Sequence, residues 1–250
     1  MRRPLVLALL LCSACPRQLP LRFGPEGEIR DPRLLLRALD ARSARLSTLS
    51  AGGRITVAGP HGGTTGVEIA AQKPASLRIE IDGFFGNPVA LLATDGRRLE
   101  IFRVDQGVFA EGAASAENLA RLLPAALPPA EAVGLLLADP PRLPNVGGLR
   151  VDPARRAYAL TLEGGGRVQI LYLDTETLAL VGASLAGEYD ARFDDLAPLA
   201  GVSFPRSLSL AVQEAHVEIR YRDLQLGQPL DPALFVLQPP PGARLVPLEC

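Results

Sequence analysis

The sequence predicts a mainly β, α+β chain, and three observations predict it. Apolar residues make up 48% of the 250. Most fall in short runs, several of which alternate with polar residues at the period of a half-buried strand. The 24 glycines and 23 prolines bound those runs, and frequent turns favour short strands over a helix bundle. Helical spacing shows in residues 31–50 and 115–138, as expected of helices that cover a sheet.

The N-terminus stands apart from that pattern. Arg2 and Arg3 precede the apolar run 5–11, and Ser13-Ala14-Cys15 follows. A charged start, a short apolar stretch and small residues at the cut describe a secretory signal. The run is too short for a transmembrane helix, which needs about 20 apolar residues. Ser13-Ala14-Cys15 resembles the bacterial lipobox, in which the cysteine is diacylated and becomes the first mature residue; Cys12 departs from the leucine that pattern prefers. An ordinary secretory signal with an incidental cysteine is the alternative. Under the lipobox reading Cys15 is the lipid attachment site, and Pro16, where an aspartate would retain the protein in the inner membrane, implies outer-membrane sorting. Cys250 then remains alone, so no intramolecular disulfide is expected. Residues 1–14 are read as the lipoprotein signal peptide and 15–30 as a flexible tether interrupted by prolines and glycines. Residues 31–250 are read as a single domain.

Asp31 and Pro32 read as the N-cap and first turn of a helix. Leu35, Ala38, Leu39, Leu46 and Leu49 share one face of it, and Gly52-Gly53 is its stop. Arg42 falls on the apolar face, where its stem should pack and its head reach water. Strands follow at 54–58 and 66–71. In residues 73–104, Leu77, Ile79 and Ile81 alternate with Arg78 and Glu80, Pro88 starts a second apolar run, and Asp95-Gly96 marks a hairpin into a third. The link between the first two of these strands holds Phe84 and Phe85 between Gly83 and Gly86. Two aromatics at a glycine-framed tip need a partner in the core, in another protein or in a membrane. They are expected to face a membrane or partner; the alternative packs Phe84 inward beneath the first helix.

Residues 107–112 read as a further strand or turn. Ser115 then starts a helix with Leu119, Leu122 and Leu123 on one face, prolines break it, and a second, almost wholly apolar helix spans 129–138. This pair needs a sheet face to cover. The second β region places strands at 149–151, 158–162, 168–173, 178–185, 188–193, 207–212 and 217–224. A hairpin turn is expected at Gly164-Gly165-Gly166, and a proline turn ends the tail.

Composition and motifs exclude several functions. A formal charge of −1, with Lys73 the single lysine, offers no basic stripe for nucleic acid and no polybasic membrane anchor. His61 and His216 are the only histidines, too few for a His/Cys metal site. Gly182-Ala183-Ser184-Leu185-Ala186 lacks the second glycine of a nucleophile elbow. Asp194-Asp195 reads as a turn cap, and the glycines at 164–166 have no lysine to hold phosphate. With no convergent catalytic set, the chain reads as a non-enzyme without cofactor or metal.

Three segments in this order carry a family likeness: Leu77-Arg-Ile-Glu-Ile-Asp-Gly-Phe-Phe-Gly-Asn-Pro-Val-Ala-Leu; Ala116-Glu-Asn-Leu-Ala-Arg-Leu-Leu-Pro with Val133-Gly-Leu-Leu-Leu-Ala-Asp-Pro-Pro; and Phe204-Pro-Arg-Ser-Leu-Ser-Leu with Val217-Glu-Ile-Arg-Tyr-Arg-Asp-Leu-Gln-Leu. Together with the lipobox they resemble the lipoprotein-localisation family of the carrier LolA and the outer-membrane receptor LolB. The receptor ends soon after the strand matching Val217 to Leu224, whereas this chain continues through Pro239-Pro240-Pro241-Gly242, more like the carrier. The resemblance implies an unclosed antiparallel β-barrel with an N-terminal helix and a helical lid over an apolar cavity that holds acyl chains. It implies an outer-membrane lipoprotein, lipid-anchored on the periplasmic face, whose partners are lipoprotein acyl chains or lipid and a LolA-like periplasmic carrier. Phe85, before Gly86, matches the exposed apolar loop residue through which the receptor delivers its cargo. The apolar surplus nominates Val57, Ile69, Leu77, Ile79, Ile81, Leu91 and Ile101 on the sheet, and Leu119, Leu122, Leu136 and Leu137 on the lid, as cavity-lining residues. The alternative is a non-catalytic interaction or structural lipoprotein of the envelope with the same fold and a filled core. Apolar residues lining a cavity and filling a core look alike in a sequence.

Overall fold

The computed structural model of the chain describes residues 20–59, 62–83 and 85–248. Cys15, His61, Phe84 and Cys250 lie outside the described residues. The strands are β1 (Thr48–Val57), β2 (Gly63–Gln72), β3 (Ser76–Asp82), β4 (Pro88–Thr94), β5 (Arg98–Arg103), β6 (Val108–Ala113), β7 (Asn145–Asp152), β8 (Ala157–Gly164), β9 (Arg167–Asp174), β10 (Leu180–Leu185), β11 (Tyr189–Leu199), β12 (Val202–Val212), β13 (Ala215–Tyr221), β14 (Gln225–Leu226) and β15 (Arg244–Leu248). The helices are α1 (Pro32–Ser43), α2 (Ala116–Leu119) and α3 (Pro129–Leu136).

All these strands join one sheet in the order β15-β6-β5-β4-β3-β2-β1-β13-β12-β11-β10-β9-β8-β7, with β14 beside β1. Its end strands, β15 and β7, do not pair with each other, so the barrel is unclosed. Neighbours are antiparallel except β15, which runs parallel to β6. Local turn chemistry builds the two meanders. Gly96 adopts φ +91 after Asp95, whose carboxylate accepts from the Arg97 and Arg98 amides. Gly165 and Gly166, both with positive φ, close the β8–β9 hairpin. The meanders meet where β1 pairs β13. A Cβ on Gly53 would stand 2.4 Å from the Arg220 carbonyl oxygen, so only glycine permits this approach.

Strand alternation gives the sheet one apolar face. Ile55, Val67, Ile69, Leu77, Ile79, Leu92 and Ile101 are buried in one core cluster with Leu35 and Leu39 of α1 and with α3. The short helix pair covers that face. Ser115 caps α2 by accepting from the Asn118 amide, and Pro129 opens α3.

Four expectations need correction. The first helix ends at Ser43, and Gly52-Gly53 lie inside β1. Leu49, Ala51 and Ile55 keep strand alternation there, and pairing with β2 and β13 outweighs the helical spacing of Leu46 and Leu49. The tether is docked from Arg22 onward: the Thr175 hydroxyl donates to the Arg22 carbonyl, Phe23 stacks near Tyr158, and the Ile29 amide donates to the Tyr158 hydroxyl. Asp194-Asp195 cap no turn but sit within β11. The tail does not end at its proline turn. A 3-10 turn, Pro232–Phe235, packs against β3 and β4, and β15 then extends the sheet past β6.

Candidate functional site

Beneath the lid, side chains from both meanders converge. Ile55, Leu77, Ile79, Leu208, Leu210, Val217 and Ile219 form the sheet wall. Leu119, Leu123, Pro124, Ala125, Leu127, Ala132, Leu135 and Leu136 form the lid wall. Every one of these side chains is apolar, so the site offers no donor or acceptor to orient a polar ligand. The cavity they leave is about 60 Å³. That is roughly the room of two waters and far below the ~300 Å³ of a small-molecule site.

The expected lining residues divide accordingly. Leu77, Ile79, Leu119 and Leu136 meet at this cavity. Ile69 and Leu137 are buried in the surrounding core, and Ile81 packs half-buried against it. Val57 and Leu122 face a separate, polar-rimmed hollow at the edge of the lid. Ile101 lies on the same sheet face but opens toward the β15 edge. Leu91 is a correction: it pairs with Glu80 and Phe102 on the outer face, whereas its neighbour Leu92 pairs with Ile79 and Ile101 on the inner one. The run Val89 to Ala93 has no polar residue to reveal its parity, and a one-residue slip reverses a strand's faces. The contributions of Leu208, Leu210, Val217 and Ile219 were missed. The alternation of Val217 and Ile219 was visible, but only the β1–β13 pairing, over a long stretch of chain, brings them beside Ile55.

Polar contacts hold the two ends of the lid differently. At α3 they come from distant parts of the chain. Arg42 donates to the Ala138 carbonyl (2.6 Å), Tyr221 to the Leu136 carbonyl (3.1 Å) and Tyr189 to Glu131 (3.3 Å). Lys73 pairs with Asp139, and Arg167 approaches Glu131 at 3.6 Å. Arg42 is thus no flaw in an amphipathic helix, yet its head does not reach water. It is 8% exposed, and its Nε and second terminal nitrogen have no hydrogen-bond partner. Burial lowers its pKa to about 10, partly countered by Asp139. Burial likewise raises the Glu131 carboxyl and holds the Tyr189 and Tyr221 hydroxyls above their ordinary range. At α2 the contacts are local, as where Asn118 donates to the Ala113 carbonyl, except that Arg103 of β5 donates to the Arg121 carbonyl just beyond the helix. Residues 120–128 between the two helices form no regular element.

At one end of the sheet, the β3–β4 loop carries Phe85, 87% exposed. Its turn is closed by the Gly83 amide donating to Asn87 (2.7 Å) and the Gly86 amide to Gly83 (3.0 Å), with Gly86 at φ +78. Among the described residues no cluster of His, Cys, Asp or Glu could hold a metal, and no helix is long and apolar enough to cross a membrane. His216 is exposed on β13.

No protein-family model matches the chain, and no curated protein does. Solved structures match it by fold. A LolA superfamily protein from Nitrosomonas europaea aligns with TM-score 0.54 at 13% identity, covering 84% of this chain and 99% of that one. A DUF1329 family protein from Desulfovibrio piger aligns with TM-score 0.55 at 12% identity, covering 81% and 94%. A Vibrio parahaemolyticus domain described as outer membrane lipoprotein-sorting aligns with TM-score 0.54 at 8% identity, covering 81% and 94%. The chain has the LolA/LolB-like fold: mainly β, with an unclosed sheet.

Proposed function

We infer that this protein is a non-catalytic envelope protein that takes acyl chains of lipoproteins or lipids beneath its lid and helps pass them to the outer membrane. In this reading Cys15 carries the lipid anchor on the periplasmic face, a LolA-like carrier supplies the cargo, and the Phe85 loop contacts the bilayer. The observation that carries it is the cavity wall, formed wholly by apolar side chains from two meanders and a separate lid. Removing acyl surface from water drives binding at ~25 cal/mol per Å² without any polar contact. Residues 120–128, half of the lid wall, form no regular element that opening would have to break. The fold shared with a LolA superfamily protein and a lipoprotein-sorting domain supports the same reading. Fold alone does not assign function, so the reading rests on the cavity.

The small volume of about 60 Å³ favours a second reading, an envelope scaffold with a filled core. One experiment separates them. Protein beginning at Pro16, which contains every described element, is titrated with a neutral environment-sensitive alkyl dye and inspected for retained lipid by native mass spectrometry. Carrier function requires dye uptake that a saturated acyl ligand competes away; no uptake and no retained lipid leave the scaffold. In the same protein, Phe85→Glu should abolish liposome binding while Tm stays within about 2 °C, since the side chain is 87% exposed. A large drop in Tm would assign the ring to packing instead.

A further inference from the structure

A second hollow lies on the same sheet face, at the β15 edge. Its floor is Ile101 of β5, Val108 and Ala110 of β6, and Val246 and Leu248 of β15. Arg103, Arg121 and Arg244 line it as well. The volume is about 490 Å³, against about 60 Å³ under the lid, and lies within the ~300–1,000 Å³ of ligand sites. Register explains the arrangement. Arg103 pairs with Val108, and Val108 with Arg244, so the two arginines flank one apolar residue on one face at the strand ends. One step inward, Ile101, Ala110 and Val246 form an apolar row in which Ile101 and Ala110 are already buried and Val246 is the half-exposed member. The acids of these strands face the other way: Glu100 pairs with Glu111 across the outer face, and Arg98 bridges to both. Asp105, in the turn between β5 and β6, is the acidic neighbour in the chain. Arg103 and Arg244 form no ion pair with a carboxylate among the described residues. Arg103 is held in place by its bond to the Arg121 carbonyl (2.6 Å).

This hollow opens at the end of the sheet that carries Phe85. Arg103 pairs with Ala90, and Ala90 with Ile81, a short step from the β3–β4 loop. Exposed Val104 lies beside Arg103. An aromatic tip, an apolar floor and guanidinium groups at one end match an amphiphile whose head is anionic and whose tail is a hydrocarbon.

We propose that the hollow between β5, β6 and β15 binds one acidic phospholipid, its phosphate on Arg103 and Arg244 and the first part of one acyl chain against the half-buried Val246. This rests on the acyl-binding reading above but concerns a different cavity. It makes the membrane-facing end selective for anionic lipid, although the chain as a whole carries a formal charge of −1.

The test titrates protein beginning at Pro16 with dihexanoyl phosphatidylglycerol kept monomeric, with dihexanoyl phosphatidylcholine and with inorganic phosphate, by calorimetry. Phosphatidylglycerol should bind at least about tenfold more tightly than phosphatidylcholine. That preference should weaken with added salt and vanish in Arg103→Gln/Arg244→Gln. Arg244 is exposed and Arg103 half-buried with one bond to the Arg121 carbonyl, so the double variant should lower Tm by no more than about 4 °C and leave neutral dye uptake under the lid intact. A Val246→Glu variant should lose both lipids while leaving neutral dye uptake under the lid intact. Equal affinity for the two lipids overturns the proposal, as does a preference that survives the double variant. Inorganic phosphate binding as tightly as the lipid would also overturn it, leaving a simple ion site. Binding of the acidic lipid without neutral dye uptake keeps this inference and removes the lid-cavity reading; dye uptake without lipid selectivity does the reverse.

Discussion

The two ends of the lid are built from the same kind of residue and held by different means. α3 is buried along most of its length, and its carbonyls and side chains are bound by Arg42, Lys73, Tyr189 and Tyr221, which come from α1, the β2–β3 turn, β11 and β13. α2 is a single turn with a serine cap, and Leu122, Leu123 and Ala125 beyond it are only half-buried. Its polar contacts, apart from Arg103, stay within a few residues of chain. Contacts that span the chain are lost only with the whole fold, whereas local ones open by themselves at low free energy. The contrast makes α3 part of the scaffold and predicts that residues 120–126, between buried Leu119 and Leu127, open first.

Asp139→Asn should have the largest effect. Asp139 is 6% exposed at its side chain, pairs with Lys73 and is the negative charge that partly offsets the burial of Arg42. Its loss leaves buried Arg42 without that countercharge and Lys73 with the Ser43 hydroxyl alone among the described residues, and should lower unfolding free energy by about 3–5 kcal/mol in urea titration. Asn118→Ala at the other end should lose about 1 kcal/mol; equal losses would erase the distinction.

Truncating leucines grades the same contrast. Leu135→Ala, at 1% exposure, should lose about 2–5 kcal/mol of global stability. Leu122→Ala, half-buried, should lose under about 1 kcal/mol while speeding amide exchange across residues 119–127. A global loss from Leu122→Ala as large as that from Leu135→Ala would place both ends in one cooperative unit.

The smallest effect is a pH dependence at Glu131. Burial raises its carboxyl above the ordinary value, outweighing Tyr189 and Arg167. The folded state therefore holds this proton more tightly than the unfolded chain. The stability it contributes is complete below the unfolded pKa and is lost as pH rises through the folded one. Glu131→Gln should accordingly raise Tm slightly at neutral pH, by about 2 °C or less, and the gain should vanish below about pH 4. A gain that persists in acid would mean that packing, not charge, is responsible.

Much of this was legible in the residues. Hairpins at Asp95-Gly96 and Gly165-Gly166 follow from the positive φ those turns require. The second lid helix followed from its apolar run and Pro129, and the first starts at its serine cap but stops at Leu119, so Leu122 and Leu123 lie beyond it rather than on its face. Leu77, Ile79, Leu119 and Leu136 could be nominated because alternation or helical spacing fixes their face locally. Leu91 was misplaced because an unbroken apolar run carries no parity. The basic hollow is not legible in the sequence because β15 lies beyond a proline-rich tail, and its Arg244 is brought near Arg103 only by parallel pairing with β6.

The sequence by itself determined what neighbours along the chain dictate: turn positions, strand alternation, the helix cap at Asp31 and the exposed, glycine-framed place of Phe85. Tertiary structure alone decided which distant strands meet, and with them both cavities. Gly53 beside the Arg220 carbonyl joins the meanders, and Arg42 turns from a misplaced surface charge into a clasp on Ala138. The physical reason is range. Backbone conformation is set by residues a few positions apart, whereas burial, pairing register and the void beneath a lid depend on surfaces that only the folded chain brings into contact.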